Sequence, residues 1–513
     1  MKSHSSLRAT TRRCCEISVI LGALIIASGC DLFNPSNHTL SPPVTIEAEP
    51  IIPNDPYYAS QWNLSAVSIG EAWGLVDAYG ETDQPVVVAV IDTGIVQDHP
   101  DLLHSPIASG YDFVSDPANS GDGDGIDNDP SDPGSSRVFG NSWHGTHVAG
   151  IIAADNDNDV GIAGIGFNHL SLLPVRVLGT DGGTTYDVAQ GILYAAGLAN
   201  DSLGFPNRPA QVINLSLGTN QPDPYLESVL RDVADRGICI VGAAGNDGGP
   251  ISYPAAYGST IAVTATTIEN GLAPYSNSGP EAELAAPGGD TSTDLDNNGS
   301  VDGVLGPVKL PLGGGGYAYY QGTSMAAPHV SGVIGLMLSV NSHATPSMLR
   351  GYLSQSALDL GPADKDTSFG YGLVQATDAV TLALENRLVS SSTRTEYRVD
   401  EESIDQASSI YDEKPHSQTG GAEGGSVADV SGTGYETVVI RLSDSFMELP
   451  ARERQAFWDR IAGEWSFNVP DHGNPLYARI LVPEKVDAQA MIDALQATPL
   501  VEIIHRERHY DPM

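Results

Sequence analysis

The chain has 513 residues, and its 64 acidic side chains against 24 lysines and arginines give a formal net charge of −40. This charge excludes nucleic acid as an expected partner, because phosphate would be repelled. The length exceeds what one ordinary core holds, so we expect a large domain with a smaller one attached. After residue 40 the sequence lacks a long uncharged apolar window, which excludes a polytopic membrane protein.

The first thirty residues have the composition of an export signal. Basic residues between Lys2 and Arg13 precede an apolar run from Ile17 to Ala27, and small residues then lead to Cys30. The pattern resembles a bacterial lipoprotein signal, which implies a diacylated Cys30 and a membrane-anchored protein on the extracytoplasmic side. Secretion as an extracellular protein is the alternative. We predict a signal peptide at 1–29 and a flexible tether, rich in Pro, Ser and Thr, at 30–53.

The cysteine count predicts an exported protein without a disulfide. Two of the four cysteines lie in the predicted signal and Cys30 would carry lipid, so Cys239 is left alone in an apolar strand. We interpret Cys239 as a small core residue. Metal ions are then the obvious means of stabilising the exported fold.

Residues 54–386 alternate between apolar strands and amphipathic helices. The strands are predicted at Val86–Ile91, Leu172–Val177, Val212–Ser216, Ile238–Val241 and Thr260–Val263. The helices are predicted at Ile69–Tyr79, Gly145–Ala153, Tyr186–Asn200, Pro224–Arg236, Ser324–Val340 and Pro346–Ala357. Near-continuous apolar strands indicate a parallel sheet covered on both faces, which predicts an α/β fold with a doubly wound parallel sheet. Functional groups should then collect beyond the carboxyl ends of the strands.

The C-terminal part of the chain has a second organisation. Residues 387–434 are poor in apolar side chains and rich in Ser, Gly and acidic residues, which predicts a linker. Residues 435–513 then predict a small α+β domain of βαβαβ pattern. Its elements are expected at Thr437–Leu442, Ala451–Trp465, Tyr477–Val482, Asp487–Ala497 and Val501–Arg506.

Three short segments carry groups suited to nucleophilic catalysis. Asp92 ends a buried strand, while His144 and Ser324 each lie where a helix begins. A serine hydroxyl is a weak nucleophile until a histidine accepts its proton, and a buried carboxylate can fix the tautomer of that histidine. The order Asp, His, Ser differs from the orders of trypsin-like enzymes and α/β-hydrolases.

The same segments resemble the subtilisin-like serine proteases, or subtilases. The resemblance covers roughly residues 55–385 and is carried by Asp92-Thr-Gly, His144-Gly-Thr-His-Val-Ala-Gly and Gly322-Thr-Ser-Met-Ala-Ala-Pro. It implies a subtilisin-like fold, hydrolysis of peptide bonds through an acyl-enzyme, and no organic cofactor. It also implies that Asn246 donates its side-chain amide to an oxyanion. His147 lacks the acidic partner of a zinc helix, so we interpret it as structural.

The resemblance also implies a peptide-binding cleft. Ser216, Leu217 and Gly218 match one edge that pairs with substrate backbone, and Gly182 and Gly183 match the opposing edge. A peptide or protein substrate would add a strand between these edges. Leu215–Gly218 and Ala243–Gly245, which include Leu217, Ala244 and Gly245, would form the walls of an apolar first specificity pocket.

Acidic loops predict structural Ca²⁺, which binds carboxylate and carbonyl oxygens. Asp55, Asp101 and Asn158 match parts of a family calcium site. A second cluster contains Asp122, Asp124, Asp127 and Asp129, and we expect calcium there rather than a solvated loop. A third run, from Asp294 to Asp302, resembles the first nine positions of an EF-hand loop. Its twelfth position is Leu305, so calcium binding and an ordinary insertion both stay open.

The role of residues 435–513 is open between two hypotheses. Their pattern is similar to that of subtilase propeptides, which implies intramolecular inhibition or assistance in folding, with Tyr510–Met513 in the substrate cleft. An unrelated accessory domain is the other interpretation. For the whole chain, an active endopeptidase competes with a catalytically silent peptide-binding scaffold and with a processing protease of narrow specificity.

Overall fold

The structure is a computed structural model. It describes residues 46–81, 84–103, 108–134, 143–310, 313–396, 435–447, 449, 451–465, 477–483, 487–496, 498, 500–507 and 509–512. These residues, from Glu47 onward, belong to one unit of the fold. The predicted signal peptide, Cys30 and most of the predicted tether lie outside the described residues.

Fifteen strands are described. They are β1 (Val86–Asp92), β2 (Tyr111–Asp112), β3 (Leu170–Arg176), β4 (Gly183–Thr184), β5 (Val212–Leu215), β6 (Leu217–Gly218), β7 (Cys239–Ala243), β8 (Thr260–Thr266), β9 (Ala282–Pro287), β10 (Val304–Lys309), β11 (Gly315–Tyr320), β12 (Tyr435–Leu442), β13 (Tyr477–Pro483), β14 (Val501–Arg506) and β15 (His509–Pro512).

Twelve α-helices and one short 3₁₀ helix, Tyr58–Ser60, are described. The α-helices are α1 (Trp62–Ala66), α2 (Ile69–Tyr79), α3 (Pro117–Ser120), α4 (His144–Ala153), α5 (Thr185–Ala195), α6 (Pro224–Ala234), α7 (Thr323–Val340), α8 (Pro346–Ser356), α9 (Ala376–Glu396), α10 (Asp444–Met447), α11 (Ala451–Trp465) and α12 (Ala488–Gln496).

A seven-stranded sheet in the order β2-β3-β1-β5-β7-β8-β9 forms the centre of the main domain, and its strand pairs are parallel. Every residue of β1 is buried, as expected for a strand covered on both faces. The predicted doubly wound parallel sheet is therefore confirmed. The strand order reverses at β1, between β3 and β5, which marks the carboxyl ends of β1 and β5 as the place for a site.

Helix α7 crosses the core beneath this sheet edge. It is long and apolar enough to span a membrane, but all eighteen of its residues are buried. A helix that is apolar on every side is stable when protein surrounds it completely. We therefore interpret α7 as a core helix, and it brings Ser324 in its first turn to the reversal point of the sheet.

Two predicted boundaries need correction. Helix α9 continues to Glu396, so the first ten residues of the predicted linker are helical. Buried Val380 and Leu384 hold this helix, and Arg387 donates to the Tyr79 carbonyl at 2.9 Å, so tertiary packing overrides a polar composition. At the other end, Ile51 lies in the predicted tether but donates its N–H to the Gly70 carbonyl of α2 at 3.0 Å.

The C-terminal module, residues 435–512, has its own sheet in the order β13-β12-β14, with antiparallel pairs. One face packs against α11 and α12 around Ile440, Phe446 and Trp458. The other face meets the main domain, where Val439 joins the apolar cluster that contains Leu226 and Val229 of α6. The module thus has a core of its own and one docked face.

Candidate active site

Asp92 and His144 form the first contact of the site. The Nδ1 atom of His144 lies 2.8 Å from Oδ1 of Asp92, and the side chains are 3% and 1% exposed. The same oxygen of Asp92 accepts the N–H of Thr93 at 2.7 Å. Because a carboxylate can only accept, Nδ1 of His144 carries the hydrogen and Nε2 is the nitrogen left to act as a base.

The close approach of α4 to the end of β1 positions His144. A Cβ on Gly145 would lie 2.2 Å from the Gly94 carbonyl oxygen, so this position requires glycine. The Gly145 N–H donates to Oγ1 of Thr93 at 3.0 Å, and that hydroxyl donates to Asp132 at 2.7 Å. Thr93 therefore links the strand end, the helix start and a neighbouring carboxylate.

Ser324 lies at the start of α7, beside the turn that follows β5. Its hydroxyl donates to the Ser216 carbonyl at 3.2 Å, and the Ser216 hydroxyl donates to the Ser324 carbonyl at 2.9 Å. Ile91 of β1 and Leu215 of β5 are partners in the sheet, so Asp92 and Ser216 follow adjacent strands. Asp92, with His144 bonded to it, and Ser324, bonded to Ser216, thus lie at the carboxyl ends of two adjacent strands.

Asn246 lies next to this helix start, and its orientation is defined by what it accepts. Its Oδ1 accepts the N–H of Thr323 at 2.9 Å and the Thr323 hydroxyl at 3.0 Å. Gly245 donates its N–H to the same hydroxyl at 3.0 Å. A backbone N–H can only donate, so the oxygen of the amide faces Thr323 and Nδ2 is directed elsewhere. Nδ2 is thereby available as a donor beside Ser324.

Two further histidines, His147 and His329, are buried in the main domain. His147 donates its Nε2–H, shared between the carbonyls of Val304 and Ala318 at 3.1 Å each, and its ring stacks on Tyr320 with centroids 4.4 Å apart. Burial lowers its pKa to about 3. His329 bonds Asn63 at 2.8 Å, and burial lowers its pKa to about 4. Both rings are neutral packing groups, as predicted for His147.

The two predicted substrate edges are strands β4 and β6, and β15 of the C-terminal module lies between them. Tyr510 is the antiparallel partner of Gly183, and Pro512 is the partner of Leu217. The tail predicted for the cleft therefore lies between both edges over His509–Pro512, whereas Met513 lies outside the described residues.

The remaining predicted cleft residues lie around these edges. The Gly182 carbonyl accepts from Nδ2 of Asn119 at 2.8 Å, so it faces away from β15. Ala244 is fully buried, and Gly245 (φ +108°) turns the chain towards Asn246 at the end of β7. Cys239 at the start of β7 is buried and its pKa is raised to about 12 by desolvation, in line with a core residue.

The first predicted calcium set converges. The Asp55 carboxylate accepts the N–H groups of Asp157 and Asn158 at 3.0 and 3.2 Å, and Nδ2 of Asn158 lies 3.4 Å from Asp101. Burial raises the pKa of Asp101 to about 7, and the charge of Asp55 contributes. The two carboxylates fit the oxygen preference of Ca²⁺, whereas the amide oxygen of Asn158 accepts the N–H of Val160 at 2.7 Å.

Among the described residues, the second predicted set of Asp122, Asp124, Asp127 and Asp129 does not bring three carboxylate oxygens within 4.8 Å of one another, so calcium there stays a prediction without structural support. Asp122 pairs with the buried guanidinium of Arg176, which also pairs with Asp112. Asp127 accepts the N–H of Asp129 at 2.8 Å, and Asp129 accepts that of Ser131 at 3.1 Å. Arg176 comes from β3, far along the chain, and supplies the positive charge that we expected from a cation.

Sequence reasoning overlooked two residues that orient the site. Thr93 and Thr323 lie inside the motifs that contain Asp92 and Ser324, and both use their hydroxyl to tie neighbouring segments together. Their position beside a catalytic residue was the available signal. Arg176 had no such signal, because its partners are separated from it by more than fifty residues.

Known proteins are similar to this chain over the residues that contain the site. A profile described as the Subtilase family matches residues 83–372. The chain is 37% identical over 352 residues to an extracellular protease of Xanthomonas campestris pv. campestris, with 65% of this chain and 57% of the relative covered. It is 38% identical over 341 residues to a halolysin-like extracellular serine protease of Natrialba magadii, with 65% and 54% covered.

The chain thus spans a little over half the length of these two relatives. A solved structure described as proteases from Pseudoalteromonas arctica is 36% identical to it, with a TM-score of 0.58. That comparison covers 64% of this chain and 99% of the solved chain. The shared part is therefore the main domain.

Proposed function

The chain belongs to the subtilase family, and from this premise we propose that it is a serine endopeptidase that hydrolyses peptide bonds through Asp92, His144 and Ser324. The observation that carries the proposal is the 2.8 Å contact between Nδ1 of His144 and the buried carboxylate of Asp92, at the sheet edge where Ser324 lies in the first turn of α7. A carboxylate in this place stabilises the imidazolium that forms when histidine accepts a proton.

The proposed reaction has two steps. Nε2 of His144 accepts the hydroxyl proton of Ser324 while Oγ bonds to the scissile carbonyl carbon, and His144 then gives the proton to the departing amine. Water, activated by the same nitrogen, next hydrolyses the acyl-enzyme. The tetrahedral oxyanion receives hydrogen bonds from Nδ2 of Asn246 and the N–H of Ser324, and the anchoring of Oδ1 by Thr323 supports this donor role.

Substrate is proposed to bind as an extended strand between β4 and β6. The pairing of β15 with Gly183 and Leu217 supports this mode, because it uses backbone groups that any peptide possesses. Export is supported by the relatives named as extracellular proteases. We further propose the membrane-anchored form with lipid on Cys30, and secretion without lipid is the alternative. Intact-mass analysis of the purified protein distinguishes the two forms.

Calcium is proposed at Asp55, Asp101 and Asn158. The raised pKa of Asp101 reflects a buried carboxylate that lacks a full countercharge, and a divalent cation would supply one. Bound there, the ion would hold the loop around Asn158 against the main domain, and its role is structural.

Activity is tested with casein and the Ser324→Ala variant. We expect kcat/KM to fall by about six orders of magnitude, because the nucleophile is lost while binding groups stay. Ser339→Ala is the matched control, since Ser339 lies near the other end of the same helix and its hydroxyl donates to the Gly335 carbonyl at 3.0 Å. Hydrolysis unchanged in Ser324→Ala would contradict the assignment of Ser324 as nucleophile. Absence of hydrolysis in a parent chain lacking residues 509–513 would support the silent scaffold, and cleavage of one sequence from a peptide library but not of casein would support a narrow processing protease.

For the C-terminal module, residues 435–513, we propose intramolecular inhibition. The observation that favours it is the position of β15, which pairs with both substrate edges at once. A peptide cannot add a strand where one is already paired, so the tail competes with substrate for the same backbone groups. Tyr510 is fully buried in the apolar cluster that contains Tyr186 and Leu217, and this side chain supplies further affinity.

The linkage of tail and enzyme in one chain makes even a weak contact effective, because its local concentration is high. Docking of the module on α6 adds the contact of Arg441 with Asp232, at 2.7 Å. Inhibition by the module is therefore expected to persist on dilution and to resist moderate substrate concentrations.

The inhibition is tested in the full chain with Tyr510→Ala. We expect the initial rate of casein hydrolysis to rise at least tenfold, with Tyr371→Ala, an exposed tyrosine of the main domain, as the control that leaves the rate unchanged. A rate that stays equal in parent and Tyr510→Ala, in a protein that Ser324→Ala inactivates, would favour the accessory-domain interpretation.

A further inference from the structure

The connection between β9 and β10 carries acidic residues at alternate positions. Asp294, Asp296, Asn298, Ser300 and Asp302 follow one another at steps of two, with Gly299 inside the run. One carboxylate oxygen from each of the three aspartates lies within 4.8 Å of the others. Three negative charges this close repel one another unless a positive charge lies between them.

Asp302 is the residue that points to a ligand. Its side chain is 2% exposed, and its Oδ2 accepts the N–H of Leu295 at 2.7 Å. Its Oδ1 is buried and has no hydrogen-bond partner within the part of the chain that the structure describes. A buried anionic oxygen without a partner is costly, so it indicates a missing positive group. The other two aspartates are exposed and face the same point from the solvent side.

The backbone of the loop folds so that these oxygens can converge. Asp294 accepts the N–H groups of Asn298 and Gly299 at 3.1 and 3.2 Å, which closes the turn. Gly299 has φ +86°, where a side chain would be strained. Glycine in the sixth place of such a run is the residue that makes the sharp turn of an EF-hand loop.

We propose that Asp294, Asp296 and Asp302 bind a Ca²⁺ ion. Calcium suits the site because it accepts six to eight oxygen ligands in flexible geometry, and water can complete the shell on the exposed side. The glutamate that supplies two ligands at position twelve of an EF-hand is replaced by Leu305. We therefore expect weak binding, with a Kd on the order of 10⁻⁴ M, as in extracellular calcium modules.

The position of this site connects it to the segments on either side of the start of α7. The loop returns to β10, which forms a hairpin with β11, and β11 leads directly to Gly322 and Ser324. Gly322 donates its N–H to the Gly288 carbonyl at 3.1 Å, on the near side of the same loop. A cation that closes the loop would stabilise both segments that flank the start of α7. It would also shield an exposed loop from cleavage.

The number of bound calcium ions tests the proposal. The protein is the full chain with Ser324→Ala, so that the result is independent of the proposed activity. Equilibrium dialysis at 1 mM Ca²⁺ is expected to give one ion fewer per chain in Asp296→Asn and in Asp302→Asn. Asp124→Asn, an exposed aspartate of the loop paired with Arg176, is the matched control and should leave the count unchanged.

Terbium luminescence provides a second measurement at the same place. The indole Nε1 of Trp62 donates to the carbonyl of Gly303 at 3.0 Å, next to Asp302, so excited Trp62 should transfer energy to Tb³⁺ in the site. We expect a signal that Ca²⁺ displaces, that falls at least fivefold in Asp296→Asn, and that is lost in Trp62→Phe while the calcium count stays. Equal calcium counts in the parent, Asp296→Asn and Asp302→Asn would overturn the proposal.

Discussion

The main domain and the C-terminal module each bury an arginine, and they surround it differently. Arg176 is 1% exposed and pairs with Asp112, which is equally buried, and with Asp122. Arg441 is 6% exposed, but its partners Asp232 and Glu502 are 30% and 39% exposed. Arg176 is enclosed within the main domain, whereas Arg441 lies at a seam that water reaches. From this difference we expect the main domain to be stable by itself and the module to be docked reversibly.

After the loss of Ser324, the largest expected effect on activity also lies wholly within the main domain. Asp92→Asn should lower kcat by about 10⁴-fold, because an amide in place of the carboxylate favours the wrong histidine tautomer. The measurement is peptide hydrolysis in Asp92→Asn and in the parent, both lacking residues 509–513. An equal loss in a variant that changes only the module, such as Arg441→Met, would break the division between the two regions.

Arg176→Met should destabilise the main domain by about 3–5 kcal/mol, since Asp112 would stay buried without its partner. The free energy of unfolding from urea titration measures this change. Arg350→Met is the matched control. Arg350 is 28% exposed and pairs with Glu283, so we expect a loss of about 1 kcal/mol or less. Similar losses for both variants would contradict the burial argument.

Asn246→Ala should lower kcat by about 10²–10³-fold with little change in KM, because the donor acts on the oxyanion of the transition state. Thr323→Val sharpens this prediction. It keeps Asn246 but removes the hydroxyl that Oδ1 accepts, so a smaller loss in kcat is expected. A rise in KM alone in Asn246→Ala would assign the side chain to substrate binding.

Arg441→Met should leave the unfolding of the main domain within about 1 kcal/mol of the parent, because the lost partners are open to solvent. It should raise the rate of casein hydrolysis severalfold, since docking is weakened. The rate and the urea transition are measured on the same preparation. A large loss of main-domain stability would show that the two regions form one cooperative unit.

The last prediction concerns the loss of stability in acid. His147 and His329 have pKa values lowered by burial to about 3 and about 4, against an ordinary value of 6.5. As pH falls below 6.5, these histidines become protonated in the unfolded chain but stay neutral in the folded chain. The free energy of unfolding therefore decreases between pH 6.5 and pH 4. Each histidine lowers the free energy of unfolding by about 1.4 kcal/mol per pH unit in that range. In His329→Gln, the slope of the free energy of unfolding against pH between pH 6 and pH 5 should fall by the equivalent of about one proton. An unchanged slope would contradict a neutral, buried His329.

Local pattern and chain order predicted most of the architecture. The apolar run Val86–Ile91 and the helix Ile69–Tyr79 match the structure almost residue for residue, because burial on both faces or on one stripe leaves a clear periodicity. The hairpin of β10 and β11 was overlooked. Its second strand reads Gly-Gly-Tyr-Ala-Tyr-Tyr and is half-buried, so it lacks alternation.

The site could be predicted where its chemistry lies in contiguous motifs, as for Asp92, His144 and Ser324. Contacts between distant segments could not be predicted. The guanidinium of Arg176 neutralises Asp122 from another strand, and nothing in the spacing of the acidic loop indicates it. The same limit applies to Asp302, whose burial depends on the packing of the whole β9–β10 connection.

The central claim is that Ser324 is the activated nucleophile of the main domain, and labelling with a peptide phosphonate tests it most directly. In the chain lacking residues 509–513, we expect mass mapping to find one adduct, on Ser324, with the rate of labelling lowered about 10⁴-fold by Asp92→Asn. The full chain should label more slowly by the same factor by which the tail slows casein hydrolysis. An adduct on another serine, or equal labelling in the parent and Asp92→Asn, would contradict the account.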